Sequence, residues 1–167
     1  MSSEGNAKAY NEFRSKRSAE IETILLAKKE LSKYQRAKRD INHMRERIIR
    51  LEARINAVVR APHEIDVQST PDPKSIEDML NSASDLRTEY GSMIIHAEEI
   101  CEYVERLICA AEGLPGEILY KRFVIGQGID TIAHDHIYHR SQVYRLLDIG
   151  LLQVGKRCDK MRHIDMI

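Results

Sequence analysis

With 43% hydrophobic and 31% charged residues in 167, the chain can both fill a core and keep a charged surface, which excludes wholesale disorder. Aromatics make up only 5% and Trp is absent, a composition suited to helical bundles and coiled coils rather than to a sandwich or barrel. The formal net charge of zero conceals three blocks: residues 1–60 carry 15 Lys and Arg against 8 Asp and Glu, residues 61–117 carry 3 against 13, and residues 118–167 carry 8 against 5.

Residues 7–60 contain neither Pro nor Gly and read as one long helix. From Tyr34 onward a heptad places Tyr34, Ile41, Ile48 and Ile55 at one seam position and Ala37, Met44, Leu51 and Val58 at the other. Upstream, Ile21, Ile24, Leu25 and Leu31 are out of phase with that seam, so a stutter or kink is expected near Leu31. Pro62, Pro71 and Pro73, with the polar run Gln68 to Pro73, then predict a loop, and Ser75 with Asp78 predicts a helix start.

A second long helix is expected over 76–112. Ile76, Ala83, Tyr90, Ala97, Val104 and Ala111 recur every seventh residue, with Met79, Leu86, Met93, Ile100 and Leu107 at the other seam position. Leu80, Ile94, Cys101 and Ile108 widen the stripe beyond a two-stranded seam, which calls for more than one partner helix. Gly113, Pro115 and Gly116 are expected to end it. The two helices should fold back as an antiparallel hairpin, basic against acidic, and a second copy should cover the stripe that remains. Residues 1–113 thus read as a dimerisation domain.

Residues 114–167 read as a separate head of three short helices: Glu117 to Ile125, Ile129 to about His136, and His139 to about Val154, closed by Gly155. Small and apolar residues lie where two helices must cross: Ile129, Ile132 and Ala133 on the first, Val143, Leu146 and Leu147 on the second. Arg140, Ser141, Gln142, Tyr144 and Arg145 are left pointing outward as candidate readers of base edges, because Arg and Gln suit bidentate contacts to guanine and adenine. Lys121, Arg122, Thr131, His139, Lys156 and Arg157 are candidate phosphate contacts, which fix register without reading sequence. Helix-turn-helix heads offer such residues to a major groove.

In the run from Arg122 through Ile129-Asp130-Thr131-Ile132-Ala133 to Ser141-Gln142-Val143-Tyr144-Arg145-Leu146, the chain resembles phage transcriptional regulators of the RinA and ArpU kind, with a helix-turn-helix like that of sigma-factor region 4. The likeness covers about residues 117–154, and the plan of the preceding two-thirds is similar as well. It implies an all-α, dimeric, sequence-specific regulator of transcription that binds double-stranded DNA, with host RNA polymerase or another host protein as a further partner. Three positions depart from the pattern: the turn usually carries Leu and then Gly where this chain has His136 and Ile137, and the usual Ser or Thr cap is His139.

Other functions have less in the sequence to carry them. The run His134-Asp135-His136-Ile137-Tyr138-His139 has metal-ligand side chains but straddles a turn, and no metal or other cofactor is expected. Gly126-Gln127-Gly128 lacks the remainder of a phosphate-loop fingerprint, and no catalytic arrangement can be argued, so the chain reads as a non-enzyme. No apolar run approaches the ~20 residues of a membrane span. Cys101, Cys109 and Cys158, odd in number and scattered, suggest free thiols and a cytoplasmic protein. Two rival readings remain: a phage protein that binds and inhibits a host protein, and a DNA-packaging recognition subunit.

Overall fold

Apolar residues spaced at helical intervals dominate the sequence, and every regular element of the computed structural model is a helix. The described residues are 3–60 and 73–164, and no strand occurs among them. The α-helices are α1 (Ser3–Leu31), α2 (Lys33–Arg60), α3 (Pro73–Ile108), α4 (Gly113–Leu119), α5 (Ile129–Asp135) and α6 (Arg140–Ile164), with a π-helical stretch, Tyr120–Ile125, continuing α4. The fold is all-α. No described helix is long and apolar enough to cross a membrane. Most of the expected proline loop, 61–72, lies outside the described residues. Pro73 opens α3, at the end of a helix where the missing N–H does no harm.

The expected break comes at Ser32. Its hydroxyl donates to the carbonyl of Lys29 at 2.8 Å, an alternative to the helical ladder, and Lys33 pairs with Glu30 across the gap. Shortly after the break, within α2, the chain passes between two compact units: residues 1–35 with 101–167, and residues 36–100. This division differs from the expected boundary at 113/114. The cause is α1, which packs on α6 instead of continuing the hairpin seam. The out-of-phase residues near Leu31 serve this second purpose: Ala27 and Leu31 are fully buried, and Ile24 packs against the same core.

In the first unit, α6 lies against α1, α4 and α5. Its inner stripe is Val143, Leu147, Leu151, Val154 and Cys158, all buried with Ile118, Leu119, Phe123 and Ile132 from the shorter elements. Two glycines set the closeness of these crossings. A Cβ on Gly150 would sit 2.8 Å from Leu119 Cδ1, and one on Gly155 would sit 2.4 Å from Thr23 Cγ2 and 2.7 Å from the Thr23 carbonyl oxygen. Gly155 therefore does not close the last helix, as its sequence context suggested; it is buried within α6, which runs on to Ile164.

Gly113, Pro115 and Gly116 likewise start a helix rather than merely ending one. Gly113 takes the left-handed φ of 67°, Pro115 occupies the first turn of α4, and a Cβ on Gly116 would fall 2.2 Å from the Ala111 carbonyl oxygen. The expected helix 117–125 is the end of α4 plus the π-helical stretch. The carbonyls of Phe123 and Val124, at its C-terminal end, accept hydrogen bonds from Gln35 Nε2 at 3.0 and 2.7 Å. Nearby, the buried Tyr34 hydroxyl donates to Glu105 Oε1 at 2.9 Å. Burial, reinforced by that carboxylate, disfavours the phenolate, and the Tyr34 pKa is pushed up to about 12.

In the second unit, α2 and α3 form an antiparallel hairpin. Arg45 pairs with Glu98 at 2.9 Å, Arg87 with Glu52 at 3.4 Å, and the Arg47 guanidinium lies 5.7 Å from the Tyr90 ring centre. As numbers rise on α2 they fall on α3, which fixes the direction. Basic α2 thus faces acidic α3, as expected. Ile41, Ala83 and Ala97 are buried in the seam, but Met44, Ile48, Leu51 and Ile55 are only half-buried, and Met93 is exposed. Two helices alone cannot enclose so wide a stripe.

Candidate nucleic-acid interface

α5 and α6 are joined by the four residues His136 to His139. The two helices cross where Ile132, Ala133, Val143 and Leu147 are buried together, so the inner faces are those the apolar spacing indicated. Backbone conformation and side-chain contacts together fix the turn. Ile137 takes a left-handed φ of 55°, so the backbone makes the bend usually given to glycine, at the steric cost of a β-branched side chain there. His139 caps α6 with its ring: Nδ1 accepts the Ser141 hydroxyl at 2.9 Å and, at a longer 3.4 Å, the Ser141 amide. This requires the tautomer that carries its proton on Nε2. His136, partly buried and stacked on Tyr138, accepts a hydrogen bond from Lys121 Nζ at 3.0 Å.

The candidate base-reading residues all lie in the first two turns of α6, and all are exposed. They differ in what already holds them. Arg140 is engaged on two guanidinium nitrogens by Asp130, Nε to Oδ1 at 2.7 Å and Nη2 to Oδ2 at 3.0 Å. It clamps the start of α5 to the start of α6, and is poorly placed to read a base at the same time. Among the described residues, no ion pair or side-chain hydrogen bond engages Gln142, Tyr144 or Arg145. Those three side chains are open to a ligand.

The candidate phosphate contacts do not form one set. Lys121 Nζ, with its side chain only 21% exposed, sits among His136, Glu117 Oε1 at 3.4 Å and Asp135 Oδ2 at 3.9 Å, and acts as an internal tie. Arg122 donates from Nη1 to the Gln127 carbonyl at 2.9 Å and steadies the connection before α5. Thr131 is exposed near the start of α5. Lys156 and Arg157 are exposed but lie about 24 Å along α6 from Arg140, at 1.5 Å per residue. They stand well apart from the start of α6.

Sequence reasoning missed Asp130, which has no local mark of pairing with a residue ten positions away. It marked Ile137 as a departure but gave it no role; the side chain is 93% exposed on an open hollow lined by Ala133, His134, Asp135, Tyr138 and His139. The signal for Ile137 was present in its position, where such turns carry glycine. Among the described residues, no three His, Cys, Asp or Glu side chains converge as a metal would require. No family model, curated protein or solved structure matches the chain.

Proposed function

We propose that the chain is a sequence-specific DNA-binding regulator of transcription of the phage or prophage type, acting as a homodimer in the bacterial cytoplasm. One observation supports this above the others: Gln142, Tyr144 and Arg145 are exposed and uncommitted immediately after a four-residue turn between two helices with a shared buried face. In this reading the first two turns of α6 enter a major groove. Arg145 and Gln142 contact base edges, Ser141 and Tyr144 flank them, and Thr131 and His139 face phosphates. Arg140 and Lys121 hold the shape of the head and contribute positive charge without reading sequence.

Selection from random double-stranded DNA tests the proposal, followed by titration of the enriched site across a salt series. Affinity should fall linearly on a double-logarithmic plot, with a slope near −0.9 for each phosphate neutralised. Arg145→Ala should weaken the enriched site by about 10- to 100-fold, the worth of one bidentate base contact, with unchanged helical content. Failure to enrich any sequence would refute the reading.

Ile137 favours one alternative. A 93% exposed aliphatic side chain on the turn suits an apolar partner better than a phosphate backbone, and so supports a head that docks on a host protein. Ile137→Ser would then abolish that complex while leaving DNA affinity intact.

A further inference from the structure

The two ion pairs between α2 and α3 lie on one flank of the hairpin. Arg45, Ile49 and Glu52 follow one another at i, i+4 and i+7 along α2, and Arg87, Gly91, Ile94 and Glu98 continue the same spacing along α3. Because Arg45 meets Glu98 and Glu52 meets Arg87, the two stripes run side by side. Ile49, 64% exposed, stands at the centre with Gly91 and the half-buried Ile94. The four charges stand at the corners, the arginines on one diagonal and the glutamates on the other.

Such a pattern is its own complement. A two-fold axis in the plane of the flank, along the helices or across them, sets each Arg of one copy over a Glu of the other. Gly91 points the same way. A Cβ there would meet nothing within 4 Å, so no neighbour in the chain demands glycine, although in mid-helix it is less stable than alanine. A bare backbone at the centre of the patch lets a second helix approach closely.

We infer that this flank is where two copies of the chain meet, related by a two-fold axis in its plane. Ile49 and Ile94 supply the attraction. The ion pairs, with side chains 43% to 67% exposed, add little affinity and select the orientation. The inference rests on the dimeric part of the proposed function and is independent of DNA.

Sedimentation of the full chain should show a dimer, and Ile49→Arg should weaken self-association by roughly tenfold or more, as for a central anchor. Because Ile49 is exposed within one chain, that variant should keep its helical content. The sharper test reverses all four corners: Arg45→Glu, Glu98→Arg, Glu52→Arg and Arg87→Glu together. Each intramolecular pair survives the exchange, and the reversed pattern is again self-complementary. The variant should therefore dimerise with itself, while a mixture with the natural chain should hold few mixed dimers by native mass spectrometry. A monomeric natural chain, an unaffected Ile49→Arg dimer, or mixing at the statistical one-to-two-to-one ratio would each overturn the inference. A dimer that enriches no DNA sequence would count against the DNA reading alone.

Discussion

Gly155→Ala separates two views of the end of the chain. If Gly155 merely ended a helix in solvent, alanine would favour further helix, by about 1 kcal/mol. In the structure, the new Cβ would meet Thr23 Cγ2 at 2.4 Å and the Thr23 carbonyl oxygen at 2.7 Å, both too close for any real contact. The methyl cannot simply rotate aside, because the Thr23 hydroxyl is held by the Ala19 carbonyl at 2.9 Å; the carbonyl belongs to the α1 backbone. Relief requires α1 and α6 to move apart along a crossing that buries Ala27, Leu31 and Val154. Overpacking of this kind costs about 1 to 3 kcal/mol, occasionally more, against the ~1 kcal/mol gained in helix propensity. The net loss should reach up to about 2 kcal/mol, a fall of up to roughly 8 °C in Tm for a chain this size. Thermal unfolding followed by circular dichroism measures it. Thr23→Ser removes the methyl but keeps a hydroxyl, so the double variant should recover part of the loss and leave the part due to the carbonyl. A rise in Tm for Gly155→Ala would refute the close crossing.

Other substitutions test the remaining contacts. Tyr34→Phe should destabilise the protein by about 1 kcal/mol, the net worth of one hydrogen bond to an exposed carboxylate. Because the folded Tyr34 pKa lies above the ordinary value near 10, its contribution is complete below pH 10 and lost as pH rises towards about 12; denaturant titrations should show stability falling over that window, and falling less in the Phe variant. Ile137→Gly should raise Tm by about 1 to 4 °C, since it relieves a left-handed φ at a side chain that contributes little burial, partly offset by greater freedom of the unfolded chain. Arg140→Ala should lower stability by no more than about 1 kcal/mol, because its pair with Asp130 is exposed, and a double-mutant cycle with Asp130→Ala should assign most of that to the pair.

Helix periodicity made most of the fold legible. The seam of Tyr34, Ala37 and Ile41 is buried as its spacing required, the break falls one residue beyond Leu31, and the basic and acidic long helices face one another. What the pattern could not supply was the destination of α1. A phase shift announces that a helix stops serving one seam, but it does not name the next, and only a close approach between Thr23 and Gly155, 132 positions apart, does so. Gly155 misled for the same reason. A glycine near an expected helix end and a glycine that admits a neighbouring backbone are identical in one dimension.

The polar side chains of the head present the same difficulty in a form that bears on function. Arg140 and Arg145 are one residue type on one exposed helix, and sequence gives them equal claims to a base edge. The structure removes that equality: Asp130 holds two nitrogens of Arg140, while Arg145 has no ion pair or side-chain hydrogen bond among the described residues. To reach a base, Arg140 must first release a carboxylate, whereas Arg145 gives up only water. Alanine at the two positions should therefore rank in a definite order against an enriched DNA site: a large loss of specific affinity at Arg145 and a small loss at Arg140. Equal losses would mean that the clamp opens on binding, and the distinction drawn between the two arginines would fail.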